Sequence, residues 1–211
     1  MDNLIVLNNE RISEKNKNFY CRNFNFKILP EGLNKFFNVE YIARKSKTDE
    51  HHKLNLEKVK IASNIFQFIY YVISTFKREN TKYCIITITP YTFLAALFLF
   101  LFRKKVFVYL ISSGYEEWRF ILGSWTVWIY HIMYSIVTSK ATVIALHERL
   151  YQKENGYVIE SSTLNKNWLQ NFKKPNLEKV KFLNVSRVNP EKGIFEFLDM
   201  FKQLTIDAEI S

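Results

Sequence analysis

The chain has little glycine, little cysteine and no long uninterrupted hydrophobic run. Of its 211 residues five are Gly and two are Cys. Cys21 and Cys84 lie in separate segments without metal-type spacing, which argues against a disulfide framework or a zinc site and fits a reducing cytoplasm. The amino terminus MDNLIVLNNE lacks a basic region followed by a long apolar stretch, so it does not indicate a signal peptide. Gly-x-Ser-x-Gly and Walker-type loops are also missing.

The two most apolar stretches are too short or too polar to predict membrane spans. Residues 91–102 number 12, whereas a span needs ~20 apolar residues. Residues 120–137 are interrupted by serine, threonine and histidine, so both stretches predict buried core helices. Arg103, Lys104 and Lys105 follow the first stretch directly. Cations beside an apolar helix suit an anionic membrane surface, and equally a solvated helix end that the helix dipole favours.

What the chain does have is enough apolar sequence for a sizeable core, and an excess of positive charge. Hydrophobic residues make up 48% of it, and the formal net charge is +10. This composition is typical of a globular protein and not of a disordered one. The charge suggests anionic lipid, nucleic acid or phosphorylated small molecules as partners.

Apolar segments of strand and helix type alternate along the chain with short connections. Strands are predicted at 4–7, 39–43, 82–89, 106–114, 142–146 and 180–186. Helices are predicted at 54–76, 90–102, 115–141 with a bend at 123–124, and 190–204, and a polar loop is predicted at 8–23. The alternation is typical of an α/β fold, a Rossmann-like parallel sheet with flanking helices. We expect one such domain at 1–154, a connection at 155–179, and an incomplete second Rossmann-like unit at 180–211.

The segment FLNVSRVNPEKGIFEFLDMF, residues 182–201, predicts a phosphate-binding turn. Asn189 and Pro190 are good helix-start residues after a buried strand. Lys192 would then lie in the first helical turn, which the helix dipole disfavours unless an anion binds there. Arg187, Lys192 and Gly193 together would form a cradle for phosphate groups. The alternative is an ordinary solvated Arg and Lys beside a capped helix.

This same segment resembles the opening of the donor-binding domain in family 4 glycosyltransferases, which have a hydrophobic strand, Gly-Arg, a short loop and Glu-Lys-Gly. VYLISSGYEEWRFILG (108–123) and VIESSTLNKNWL (158–169) are similar to segments of bacterial members. The resemblance implies the GT-B arrangement of two Rossmann-like domains. It also implies retaining hexosyl transfer from a nucleotide-sugar donor to a glycan or lipid-linked acceptor, with no cofactor or required metal. Arg187 and Lys192 would hold the donor diphosphate, with Gly193 beside them.

The sequence departs from that family at three places. Ser186 stands where many members have Gly, and the Gly-rich turn near the amino terminus is replaced by NNERISEKNKN. The family's acidic pair in the donor domain would lie beyond Ser211. We therefore expect a fragment of a transferase that is inactive alone.

Small residues after the predicted strand 106–114 mark the acceptor side. Open α/β sheets bind ligands at the carboxyl ends of their strands. Ser112, Ser113 and Gly114 end this strand and Glu116 begins the next helix, so we expect these four residues near acceptor hydroxyls. The alternative is a normal helix start with acidic residues that the dipole stabilises.

Two other classes of function remain open from the residues. One is a non-catalytic basic module for anionic membrane or nucleic acid, and the other is a different phosphate-binding α/β enzyme. Basic residues are spread along the chain and no nucleic-acid motif is present, so no nucleic-acid partner is expected. The expected location is cytoplasmic, with peripheral contact at the inner face of the membrane.

Overall fold

The structure is a computed structural model that describes residues 1–151, 156–159, 170, 180–182, 193–203 and 208–210. The chain divides into two compact units, Met1–Ser161 and Ser162–Ser211. The strands of the first unit are β1 Asn3–Lys15, β2 Asn18–Cys21, β3 Asn38–Lys45, β4 His52–Leu54, β5 Lys58–Ala62, β6 Thr81–Ile86, β7 Val106–Leu110, β8 Thr142–Ala145 and β9 Gly156–Val158. Its helices are α1 Asn25–Leu33, α2 Ile65–Ser74, α3 Pro90–Leu101, α4 Gly114–Leu122 and α5 Val127–Lys140.

The first unit is a nine-stranded, mainly parallel sheet. Its parallel strands lie in the order β5-β3-β1-β6-β7-β8-β9. The chain first builds outward from β1 through β3 to β5, and then returns to the other side of β1 at β6. This is the doubly wound order, and its switch point lies between β1 and β6. The predicted Rossmann-like α/β fold is confirmed.

Alternate residues of the central strand β1 point into two separate cores. Ile5 and Leu7 pack with α2, α3 and α5 on one face of the sheet. Leu4 and Val6 pack on the opposite face, where α1 contributes partly buried side chains. The period of two along a strand that is covered on both faces explains why its apolar run is continuous.

The predicted polar loop at 8–23 is wrong, because these residues form a β-hairpin. β1 continues through Lys15 and β2 returns antiparallel beside it, with Lys15 opposite Asn18. The turn residues Asn16 and Lys17 have φ of 51° and 61°. Two positive φ angles match the right-handed twist of a two-residue hairpin. Lysine is unusual at the second of these positions, so the sequence did not indicate a turn here.

The predicted long helix at 54–76 is also wrong in its first half. β4 and β5 occupy that half, and α2 begins only at Ile65. The Asn64 side chain accepts a hydrogen bond from the Gln67 amide and caps the helix there. In β5 the sequence KVKIA alternates with a period of two and pairs with β3. The strand could not be recognised from sequence, because its five alternating residues are followed by apolar residues at helical spacing in α2.

The predicted helices at 90–102 and 115–141 are confirmed. α3 begins with Pro90 behind a capping box of Thr89 and Thr92. The predicted bend is also present: Gly123 has φ 93°, and a single 3-10 turn, Ser124–Thr126, joins α4 to α5. In the described part of the chain, no helix combines the length and apolar character needed to cross a membrane.

The segment expected to be a connection, 155–179, contains β9, which pairs with β8 at the edge of the first sheet. A strand of three residues leaves no usable periodicity in the sequence. The remainder of that segment, apart from 159 and 170, lies outside the described residues.

The described residues of the second unit form a strand, a helix and a second strand. β10 Val180–Phe182 and β11 Ala208–Ile210 pair in parallel, and α6 Ile194–Lys202 lies between them in the chain. The strand predicted at 180–186 is confirmed for residues 180–182, and 183–186 lie outside the described residues. The strand expected at the end of the chain is present as β11. The predicted helix start at Pro190 is corrected, because Gly193 has φ 64° and α6 begins only after it.

Candidate functional site

A small pocket lies where β6 and β7 end. Its volume is about 50 Å³. The polar residues around it are Thr87, Thr89, Ser112 and Glu117, and the ring of Tyr130 forms part of its wall. Hydroxyl groups and one carboxylate at the carboxyl ends of parallel strands suit a ligand that carries hydroxyl groups.

Thr87 has an unusual backbone conformation at this pocket. Its φ is 60°, in the left-handed region that β-branched residues rarely adopt. Two hydrogen bonds hold it there: its amide donates to the Tyr109 carbonyl at 3.0 Å, and its own carbonyl accepts from Thr92 Oγ1 at 2.9 Å. Strain that neighbouring contacts enforce is concentrated at functional positions. This conformation could not be predicted from the sequence, because threonine is not a residue type that favours the left-handed region.

Of the four residues predicted on the acceptor side, two line the pocket. They are Ser112, which donates a hydrogen bond to Glu117 Oε1 at 2.9 Å, and Gly114. Ser113 precedes α4 but its side chain makes no cap hydrogen bond. Glu116 is exposed and is not among the pocket's lining residues. Glu116 was the glutamate predicted at this position, but its neighbour Glu117 lines the pocket.

Gly114 fixes the start of α4 against α5. A Cβ at this position would lie 2.2 Å from Tyr130 Cζ, a distance that no real Cβ contact has. Tyr115 then packs on the same ring with centroids 4.8 Å apart, and its hydroxyl lies 2.9 Å from His131 Nδ1. This close approach sets where Ser112 and Glu117 point.

The aromatic wall behind the pocket remains uncharged. Burial raises the pKa of the Tyr130 phenol well above its usual range, and raises the pKa of Tyr134 to about 12. The Tyr134 hydroxyl donates to the Leu150 carbonyl at 2.7 Å. These phenols therefore pack and donate hydrogen bonds, and do not act as bases near neutral pH.

The two cysteines are buried and unreactive. Burial raises the pKa of both the Cys21 and Cys84 thiols to about 12. A thiol needs a lowered pKa to act as a nucleophile. Within the described ranges there is no group of three His, Cys, Asp or Glu residues that suits a metal ion.

Of the three residues predicted to hold phosphate, only Gly193 is described. It lies directly before α6 in the left-handed conformation, and its carbonyl accepts the Phe197 amide at 2.9 Å. A glycine is the residue best able to take this conformation. Arg187 and Lys192 lie outside the described residues.

Comparisons with known proteins add little evidence on the function of this chain. No family model and no curated protein matches the chain. One solved structure, an "alpha-glucosyltransferase in complex with UDP-glucose and DNA containing an abasic site", is similar with a TM-score of 0.47 and 11% identity. That similarity covers 97% of this chain, and the chain spans 54% of the length of that structure. A similarity this low carries no argument, so function is argued from the residues of this chain.

Proposed function

We propose that the chain is part of a glycosyltransferase that moves a hexosyl group from a nucleotide-sugar donor to a glycan or lipid-linked acceptor. The first unit is the acceptor side, and residues from 180 onward begin the donor side. In its finer form the proposal is a retaining family 4 enzyme of the GT-B type, without cofactor or required metal.

The observation that carries the proposal is the left-handed Gly193 ahead of α6. In the chain the helix follows β10 and precedes β11, which pair in parallel. Gly193 occupies the glycine position of the Glu-Lys-Gly element noted in the sequence. A glycine without a Cβ at a helix start allows a phosphate to approach the free amides of the first turn. The left-handed Gly193 conformation supports the proposal of such a turn.

Arg187 and Lys192 would supply the chemistry at that turn. When the sugar leaves, negative charge builds up on the nucleotide diphosphate. A guanidinium fork and an ammonium held close to it would lower the energy of that state more than of the bound donor. Both residues are proposed to act electrostatically, with no proton transferred.

The acceptor would bind at the pocket that Ser112 and Glu117 line. Ser112 is a hydroxyl donor and acceptor, and the Glu117 carboxylate accepts hydrogen bonds from sugar hydroxyls. Ser113, Gly114 and Glu116 surround this position in sequence, and Gly114 sets its geometry through Tyr130.

An exposed apolar tip supports contact with a membrane surface. Phe120, Ile121, Leu122, Trp125, Trp128 and Ile132, here called the α4–α5 tip, are between 45% and 74% exposed. No charged residue occurs from 120 to 139. Tryptophans with aliphatic side chains are typical of helices at a lipid interface. Such a contact would bring a lipid-linked acceptor to the carboxyl edge of the sheet, where α4 begins.

The predicted basic stretch after α3 is a weaker candidate for that contact. Lys104 Nζ donates to the Phe76 carbonyl at 2.7 Å. One of the three cations of this stretch is therefore already hydrogen-bonded within the fold. We therefore assign the peripheral contact, at the inner face of the membrane, to the α4–α5 tip.

Calorimetric titration with a panel of nucleotide sugars tests the proposed function. The 211-residue chain should release or absorb heat with at least one donor, and a short DNA duplex should bind more weakly. No heat with any donor, together with tight salt-dependent binding of the duplex, would instead support a basic nucleic-acid module.

A further inference from the structure

Two arginines on the neighbouring strands β1 and β3 have no carboxylate partner among the described residues. Arg11 on β1 and Arg44 on β3 are directly opposite each other in the parallel register. Among the described residues, neither forms an ion pair. Two like charges on neighbouring strands repel each other and weaken strand pairing.

Arg44 is held in place by uncharged neighbours. Its Nη1 donates to Asn9 Oδ1 at 3.1 Å, and its Cζ lies 4.4 Å from the centre of the Tyr91 ring. The side chain is half-buried. Stacking on tyrosine orients a guanidinium and leaves its remaining N–H donors for another group.

The backbone of β1 is irregular at this position. Between Leu7 and Arg11 the register with β3 shifts by two residues, which marks a bulge over Asn8, Asn9 and Glu10. Asn8 is buried and its amide donates to the Tyr41 hydroxyl at 2.9 Å. Bulges re-aim side chains near functional sites, and this one brings Asn9 to Arg44.

Two other basic residues of this sheet and its flanking segments, Lys60 and Arg78, differ from Arg11 and Arg44 in having a carboxylate partner. Lys60 and Arg78 both reach the buried carboxylate of Glu40. That pairing gives both cations a carboxylate partner within the chain itself. The arrangement at Arg11 and Arg44 leaves two positive charges for a ligand to neutralise.

We propose that Arg11 and Arg44, with Tyr91 and Asn9, bind a phosphate or diphosphate group of the acceptor. The inference rests on the proposed function and narrows its substrate class to a phosphorylated acceptor. β3, β1, β6 and β7 are neighbours in the sheet, in that order. Three inter-strand spacings of ~4.8 Å therefore separate Arg44 from the residues after β7, a distance of ~14 Å. An acceptor with its phosphate at Arg44 therefore extends across the switch point to place a hydroxyl group beside Ser112.

Titration with inorganic pyrophosphate tests this site separately from the donor turn. The background is the full chain carrying Arg187→Ala and Lys192→Ala, which removes the proposed donor contacts. In that background Arg11→Gln and Arg44→Gln should each weaken pyrophosphate binding about tenfold, the effect of losing a charge-assisted hydrogen bond. The exposed Lys77 makes no described hydrogen bond or ion pair, so Lys77→Gln is the matched control and should leave binding unchanged.

The outcomes separate this inference from the proposed function. Loss of pyrophosphate binding in the Arg11 and Arg44 variants, without donor binding by the parent chain, would support the anion site and contradict the transferase. Equal binding in all three glutamine variants would overturn the site, even if donors bind. Should Arg44→Gln fail to fold, the exposed Arg11→Gln still decides.

A second arm distinguishes the sources of phosphate. Glucose 1-phosphate represents a soluble acceptor, and vesicles containing phosphatidic acid represent a lipid headgroup. Glucose 1-phosphate or the vesicles should bind less well to Arg11→Gln than to the control variant Lys77→Gln. If neither depends on Arg11 while DNA binding does, the ligand is nucleic acid and the proposal is wrong.

Discussion

Gly114 lies directly beneath the ring of Tyr130, closer than any side chain would allow. The contact joins the first residue of α4 to the first turn of α5. The loop after β7 leads directly into α4 at Gly114, so this contact restrains the segment that carries Ser112 and Glu117. A single non-local contact thus connects the packing of the domain to its candidate site.

Replacing Gly114 with alanine should destabilise the chain. A methyl group in this space must displace Tyr130 or α4, and overpacking of this kind costs about 1–3 kcal/mol. Urea unfolding followed by circular dichroism measures the change. Adding Tyr130→Ala should reduce the difference between Gly and Ala at position 114. If the difference persists in the double variant, the ring contact is not its cause.

Glu117 and Glu116 should behave differently towards acceptor sugars. Glu117 accepts a hydrogen bond at the pocket, whereas Glu116 does not line it. Glu117→Gln should weaken binding of mono- and disaccharides about tenfold, because a bond to a charged group is worth ~1.5–3 kcal/mol. Glu116→Gln is the matched control. Chemical-shift titration against a sugar panel compares them, and equal effects would place the acceptor elsewhere.

The α4–α5 tip should bind anionic vesicles. Trp125→Ser with Trp128→Ser should reduce co-sedimentation with them, while stability changes little because both side chains are more than half exposed. Phe66 is 83% exposed on α2, and Phe66→Ser is therefore the matched control. A blue shift of tryptophan fluorescence should accompany binding. Vesicle binding that survives the double substitution would exclude the tip as the contact.

Glu40 should make stability depend on pH. Burial alone would raise the pKa of this carboxyl, but hydrogen bonds and charges of Lys60 and Arg78 outweigh burial and lower the pKa below its usual 4.5. A lowered pKa in the folded state stabilises the fold above the unfolded value, and this contribution is lost as pH falls through the folded pKa.

Glu40→Gln should therefore cost about 2–3 kcal/mol near neutral pH, and less in acid. The cost stays below that of a fully buried pair because Lys60 and Arg78 are partly exposed. Unfolding free energies at pH 7 and below pH 4 measure both values. An equal loss at the two pH values would mean that the ionised carboxylate does not contribute.

The parts of the fold that could be predicted are those with strong local patterns. α3 has proline behind a capping threonine, and Gly123 marks the bend before α5. The β1–β2 hairpin could not be predicted, since its turn uses Lys17 in a conformation that glycine normally adopts. β5 was missed because its five alternating residues run into the apolar sequence of α2.

The candidate site was predicted only in part, for a different reason. The carboxyl end of β7 could be located from sequence, and with it Ser112 and Gly114. The choice between Glu116 and Glu117 depends on how α4 is rotated by Tyr130, a residue 16 positions beyond Gly114. The pairing of Arg11 with Arg44 depends on a bulge in β1, which no local pattern indicates.

The central claim is that the turn before α6 binds the diphosphate of a nucleotide sugar. The most direct measurement is calorimetric titration of the unsubstituted chain, Arg187→Ala and Lys202→Ala with the same nucleotide sugar. Lys202 lies at the opposite end of α6, so its removal changes the charge equally without touching the turn. The account predicts that donor binding is lost with Arg187→Ala and kept with Lys202→Ala. Equal binding by all three proteins would contradict it.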